Sequence, residues 1–162
     1  MARTPEEILQ AAGVPFRSHE HVPVATVAEI VDALPFPAEE HVKTLAFEAG
    51  DLVVLAALRG SDRVGFGPLA RALGLPRDRI RALPPERVRA ELGFEPGGVC
   101  PLVDRDGVTV LVDRRVLGLD RAFCGSGRND VTLELSPADL VTAARATVAE
   151  LAGPPVSPTP RG

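Results

Sequence analysis

The sequence predicts a mixed α/β fold, a central mixed β-sheet surrounded by helices. Three observations carry that prediction. Short helices marked by capping residues are interspersed with short strand-like runs. Two of the runs meet at Gly50-Asp51, a plausible hairpin. One run, LVVLAAL from residue 52, is apolar on both faces and therefore belongs at the centre of a sheet. A doubly wound nucleotide-binding fold needs a more regular alternation than this. The 162 residues match one domain able to bury one core, assigned here to 1–152, and the tail GPPVSPTPRG, residues 153–162, is too proline-rich to pack and is expected to be disordered.

The elements follow in order. TPEEILQAAG opens with Thr4 as N-cap, Pro5 at the first helical position and two glutamates in the first turn, and stops at Gly13. PFRSHEHV alternates like a strand, and TVAEIVDAL is a helix capped by Thr26 and closed before Pro35. HVKTLAFEAGDLVVLAAL supplies the two hairpin strands. GPLARALG is a helix of about two turns ended by Gly74, RIRAL a strand, and PPERVRAELG a helix ended by Gly93. Strands are expected at VTVLVD, RAFCG and VTLEL. The last helix is expected over SPADLVTAARATVAELAG, with Ser136 as cap, Pro137 at N1 and Asp139 near the positive end.

Composition excludes several classes. Charged residues make up 25% and the formal net charge is -4, so no global basic field would bind DNA or RNA unaided. No apolar run approaches the length of a membrane span, and the first residues lack a basic region followed by an apolar stretch, which makes the cytoplasm the expected location. The two cysteines, Cys100 and Cys124, form neither a C-x-x-C pair nor a zinc pattern and are expected to be free thiols.

The stretch EEHVKTLAF carries the first chemical signal. As a strand it places Lys43 on one face with Leu45 and Phe47, while Val42, Thr44 and Ala46 share the other. An ammonium among core residues either escapes along its stem or meets an anion. His19 and His21, two apart, would share a strand face and could begin a metal site, but no third ligand presents itself, so no metal is expected. GFGPLA at residues 65–70 has the glycine spacing of a dinucleotide fingerprint without the full crossover helix the motif needs, and no cofactor is expected. PGGVCP and CGSG are glycine loops beside strands; they are either tight turns or places where backbone N–H groups approach a carbonyl or phosphate oxygen.

Three segments, HVKTLAF, ELGFEPGGVCP and FCGSGRNDVTLELSPADL, stand in an order and spacing that resembles the YbaK/ProX family of aminoacyl-tRNA editing domains, also called EbsC-like or prolyl-tRNA synthetase-associated proteins. The resemblance runs from about residue 19 to about residue 140. It implies a partly barrel-like mixed sheet and a pocket that hydrolyses the ester of a mischarged aminoacyl-tRNA, in a free-standing protein or a domain attached to a synthetase.

It also implies site residues. The lysine needed for activity in the family falls on Lys43, with Thr44 beside it; the pocket loop falls on Gly97, Gly98, Val99, Cys100 and Pro101, and the late loop on Gly125, Ser126 and Gly127. His19 stands where well-studied members have an aromatic residue, and Gly125 where they have serine; His19 and His21 are taken as lining the substrate. The expected partners are the acceptor end of an aminoacyl-tRNA and a synthetase such as prolyl-tRNA synthetase. Steric exclusion favours a small target such as Ala, Ser or Cys. Arg59, Arg63, Arg71, Arg77, Arg79, Arg81 and Arg128 are candidates for a local basic rim. A protein that binds an acceptor end or an aminoacyl-nucleotide without turnover is the alternative.

Overall fold

The computed structural model describes residues 2–154. Its strands form one mixed 8-stranded sheet. In chain order the elements are α1 (Pro5–Ala12), β1 (Arg17–Glu20), α2 (Val27–Ala33), β2 (His41–Ala49), β3 (Leu52–Arg59), α3 (Phe66–Leu73), β4 (Ile80–Ala82), α4 (Pro85–Arg87), β5 (Val108–Asp113), β6 (Ala122–Gly125), β7 (Val131–Leu135), α5 (Pro137–Ala144) and β8 (Thr147–Ala149). The strand order is β1-β7-β6-β2-β3-β5-β8, with β4 pairing a second edge of β2. Neighbours are parallel at β2/β6, β3/β5 and β5/β8, and antiparallel elsewhere.

The local reasons are those the residues announce. Thr4 and Glu7 form a reciprocal capping box at α1, Thr26 accepts from the N–H of Glu29 at α2, and Ser136 accepts from the N–H of Asp139 at α5. The hairpin turns at Gly50, in the left-handed region with φ 61°. β3 lies between β2 and β5, and Val54, Leu55, Ala56, Ala57 and Leu58 are all 0% exposed. Alternation deals these residues to two cores. Leu55 and Ala57 join Val42, Val110 and Val112 under α1 and α5, whereas Val54, Ala56 and Leu58 join Phe47, Leu111 and Leu69 of α3. Burying each of the larger side chains contributes roughly 1.5–3 kcal/mol.

Two expectations need correction. The last helix does not reach Gly153. It ends at Ala144, Arg145 turns the chain in the left-handed region with φ 51°, and Thr147–Ala149 becomes β8, parallel to β5. Asp113, 2% exposed, fixes this return, because its carboxylate accepts from the N–H groups of Arg115, Leu151 and Ala152 at 2.8–2.9 Å. The helix at PPERVRAELG is only briefly α-helical; Val88–Leu92 widen into a π-turn before Gly93. Most of the proline-rich tail, from residue 155, lies outside the described residues, while Gly153 donates its N–H to the Arg63 carbonyl at 2.7 Å. Among the described residues no helix is long and apolar enough to cross a membrane.

Candidate active site

One edge of β2 pairs with β3 continuously, from Val42 opposite Arg59 to Ala49 opposite Leu52. The other edge is interrupted. It meets β6 only at His41 and Val42, and β4 only at Phe47, Glu48 and Ala49, so residues 43–46 have no strand partner on that side. The Ala46 carbonyl accepts from Leu83 across this edge, at 2.9 Å, and strand alternation therefore turns the main-chain N–H and C=O of Thr44 toward the same gap. A cavity of about 310 Å³ opens there, walled by β2, the start of α2, the end of β6 and the loop holding Gly97 and Val99.

Of the residues expected from the sequence, Lys43, Thr44, Gly97, Val99 and Gly125 line this cavity. Lys43 is half-buried on the face predicted, and its Nζ makes one long contact, 3.4 Å, to the Gly60 carbonyl. Asp62, the acidic group that favours its charged form, is engaged by Arg59 at 2.8 Å and Arg115 at 3.4 Å. Burial accordingly holds the Lys43 ammonium below its ordinary value; Asp62 opposes this and Arg63 adds to it.

The two glycine loops meet face to face. Gly127 donates its N–H to the Gly98 carbonyl at 2.7 Å, and Glu95 donates to the Gly127 carbonyl at 3.0 Å. A Cβ on Gly97, which has φ 83°, would stand 2.0 Å from the Val24 carbonyl oxygen; one on Gly125 would stand 2.3 Å from that of Val99. No larger residue fits between these backbones. The N–H groups of Gly97 and Val99 make no backbone hydrogen bond among the described residues.

The remaining expected residues sit behind this wall. Ser126 ties its own loop, donating to the Val131 carbonyl at 2.6 Å. Gly98 and Gly127 form the seam between the loops, and Pro101 and Cys100 are buried beneath them. Burial pushes the Cys100 thiol well up, with the neighbouring Cys124 thiol adding to the effect. Cys100 is thus poorly suited to be a thiolate nucleophile. His19 bonds Glu134 and His21 bonds Thr132, both at 2.8 Å, so each histidine clamps the β1 end of the sheet to β7. Among the described residues no group of side chains could hold a metal ion. Of the rim arginines, Arg59 and Arg128 are paired with Asp62 and Asp130, while Arg63, Arg71, Arg77, Arg79 and Arg81 are exposed.

The structure adds residues the sequence did not single out. His41, Phe123 and Cys124 line the cavity, as do Val27 and Ile30 of α2. Phe123 stacks on Phe36 with centroids 4.0 Å apart and packs against His41 at 5.6 Å. His41 is 2% exposed. Its pKa is lowered by burial first, with the Phe36 backbone opposing and His21 contributing slightly in the same direction as burial. That backbone group is near but outside hydrogen-bonding geometry: neither ring nitrogen of His41, nor Oγ1 of Thr44, has a hydrogen-bond partner among the described residues. The signal for His41 was available, since strand alternation puts it on the face of Lys43.

A sheet interrupted at one strand, with a lone ammonium and two interlocked glycine loops around the gap, defines a small α/β domain with a cavity at that strand edge. Comparison gives it a family. A family model for the aminoacyl-tRNA editing domain matches residues 21–143, and the chain belongs to that family. Among curated proteins it is similar to the proline–tRNA ligases of Desulfitobacterium hafniense, 30% identical over 65% of this chain, and Bacillus subtilis, 31% over 68%. It spans only 18% and 19% of their lengths. Among solved structures it is similar to a hypothetical protein at 30% identity and TM-score 0.81, covering 91% of this chain and 98% of that one. A protein proposed as a trans-editing enzyme for prolyl tRNA synthetase matches at 27% identity and TM-score 0.75, covering 86% and 87%.

Proposed function

We propose that this domain is a deacylase that hydrolyses the ester of mischarged aminoacyl-tRNA bearing a small amino acid, acting in the cytoplasm on a tRNA that a synthetase has charged wrongly. The observation that carries the reading is the convergence of Lys43, the open main chain of Thr44 and the free N–H groups of Gly97 and Val99 on one cavity.

An aminoacyl ester is already activated, so positioning and charge stabilisation suffice. Water adds to the ester carbonyl carbon, the negative charge on the carbonyl oxygen is received by loop and strand N–H groups, and the C–O bond to the ribose breaks as that oxygen takes a proton. The products are the free amino acid and a tRNA with its terminal diol restored. The adjacent ribose hydroxyl orients the water. Lys43, which lacks a carboxylate partner, sets its charge against the ribose or phosphate of the terminal adenosine. The adjoining apolar cavity, about 450 Å³ and sharing Thr44, Leu45 and Val99 with the first, offers Phe66 to the adenine ring.

Similarity to proline–tRNA ligases and to a proposed trans-editing enzyme supports tRNA-Pro as the acceptor and prolyl-tRNA synthetase as the partner that supplies it. A net charge of -4 suits a domain that grips only the acceptor end, with exposed arginines such as Arg77, Arg79 and Arg81 meeting a few phosphates. The test is a panel of tRNAs carrying Ala, Ser or Cys. Amino-acid release that is lost in Lys43→Ala supports the reading; binding of the same tRNAs without release from any of them replaces it with a non-catalytic role.

A further inference from the structure

Lys43 forms no ion pair among the described residues, although a carboxylate stands on the turn it touches. That turn, Arg59-Gly60-Ser61-Asp62, closes β3. Its Gly60 carbonyl receives the Lys43 ammonium at 3.4 Å, and Asp62 follows two residues later. The turn is firmly held. Gly60 donates its N–H to the His41 carbonyl at 2.6 Å, Asp62 donates to that of Arg59 at 3.0 Å, and a Cβ on Gly60 would stand 2.8 Å from the Ala38 carbonyl oxygen. Opposite charges carried by one turn in a half-buried setting attract each other, and a flexible lysine stem can follow the attraction.

The carboxylate is already engaged. Arg59 grips it with two bonds, Nε to Oδ2 at 2.8 Å and Nη2 to Oδ1 at 3.1 Å, and Arg115 adds a third to Oδ1 at 3.4 Å. The Arg59 bonds hold the Asp62 carboxyl below its usual range, burial opposes them, and the charges of Arg59 and Arg115 reinforce them. A planar fork that meets both oxygens outcompetes a single ammonium for a carboxylate. Arg115 is itself fixed, because its main-chain N–H bonds Oδ1 of Asp113, the carboxylate that returns the chain to β8. Neither arginine lines the cavity. Both nonetheless decide what Lys43 can offer there.

We propose that Arg59 and Arg115 are positioning residues for Lys43: by holding the Asp62 carboxylate they keep it from neutralising the ammonium, which stays available to an anionic group of the ligand. The inference rests on the deacylase reading only for the identity of that ligand. Asp62 and Arg63 act on Lys43 directly, whereas Arg59 and Arg115 act through Asp62. Glu39 and Asp113 also lie in the field of Arg59, and His41 is the other titratable group on this face of β2. With the carboxylate held back, an incoming anion displaces water from Lys43. With the carboxylate released, it would have to break an ion pair.

The test is a mutant cycle read on Lys43 itself. It is the only lysine in the sequence, so isotope labelling of lysine gives one side-chain signal whose titration is followed by NMR in the full chain. In Arg59→Gln/Arg115→Gln the titration is expected to move to higher pH, and adding Asp62→Asn should bring it down by more than Asp62→Asn does in wild type. Amino-acid release from the tRNA panel is expected to fall about tenfold in the double variant and to recover to within about threefold of wild type in the triple. Thermal melts check folding, and Arg59→Gln alone, which removes the two-bond grip, takes the place of the double variant if that one is unfolded. An Asp62→Asn shift of equal size in both backgrounds, or a Lys43 titration that loss of the arginines leaves in place, overturns the proposal. So does release that stays lost in the triple variant, which would make the arginines structural. A Lys43 signal that follows the cycle while no tRNA of the panel loses its amino acid retains the positioning and defeats the deacylase reading, whereas release indifferent to all three substitutions does the reverse.

Discussion

The two edges of β2 are made from the same nine residues and meet opposite fates. Toward β3 every position from Val42 to Ala49 has a partner, and Val54 to Leu58 of the neighbouring strand are fully buried. On the other edge the ladder stops after Val42 and resumes at Phe47. The difference teaches how a stable sheet carries a site. Continuous pairing on one side fixes the strand's position to within a hydrogen bond, and that rigidity allows unpaired main chain and a lone ammonium to persist on the other.

Filling the gap should have the largest effect. Gly125→Ala drives a Cβ to 2.3 Å from the Val99 carbonyl oxygen, so the two loops must part. We expect a loss of about 2–3 kcal/mol in urea denaturation together with loss of deacylation. Removing the charge while keeping the bulk separates the two edges. Lys43→Met should reduce deacylation at least about hundredfold and leave the melting temperature nearly unchanged.

Acid and alkali sharpen the contrast further. The folded pKa of Lys43 is lowered from 10.5, so between that lowered value and 10.5 the unfolded chain binds more protons, and wild type should gain stability relative to Lys43→Met as pH rises through that window. Its activity should fall over the same range as the ammonium discharges. His41 behaves alike around a lower value. Its folded pKa lies below 6.5, so wild type should lose stability relative to His41→Phe as pH drops below 6.5 toward that folded value, a trend read from denaturation midpoints. The smallest effect belongs to the thiol behind the wall. Cys100→Ala should cost about 1–2 kcal/mol and change deacylation rates little, since Cys100 is 0% exposed and does not line the cavity.

Much of this was legible in the chain. Caps at Thr4, Thr26 and Ser136 mark helix starts by local chemistry, and the two-sided apolar run at β3 declares its central place. β8 was not legible. ARATVAEL continues the helical pattern of α5, and what ends the helix is a non-glycine residue, Arg145, held in the left-handed region where β5 and the Asp113 carboxylate capture the following segment. That is tertiary structure overriding local preference. The same division holds at the site. The face of Lys43 and the positions of the glycine loops were readable, and Lys43, Gly97 and Gly125 line the cavity. His19, His21 and Ser126, taken from the family resemblance, spend hydrogen bonds on β7 or their own turns and do not line this cavity. The face of His41 was readable from the strand pattern, but its burial without a hydrogen-bond partner is visible only in the coordinates.

The walls of the cavity differ in how much change they tolerate. Its glycine side is interlocked backbone against backbone, and its floor is the buried sheet. α2 contributes Val27 and Ile30 from a helix with no buried residues of its own. Exchanges there alter the volume of the cavity without disturbing the scaffold. α2 is therefore the wall on which natural drift, or a deliberate redesign, can refit the enclosure to a different guest.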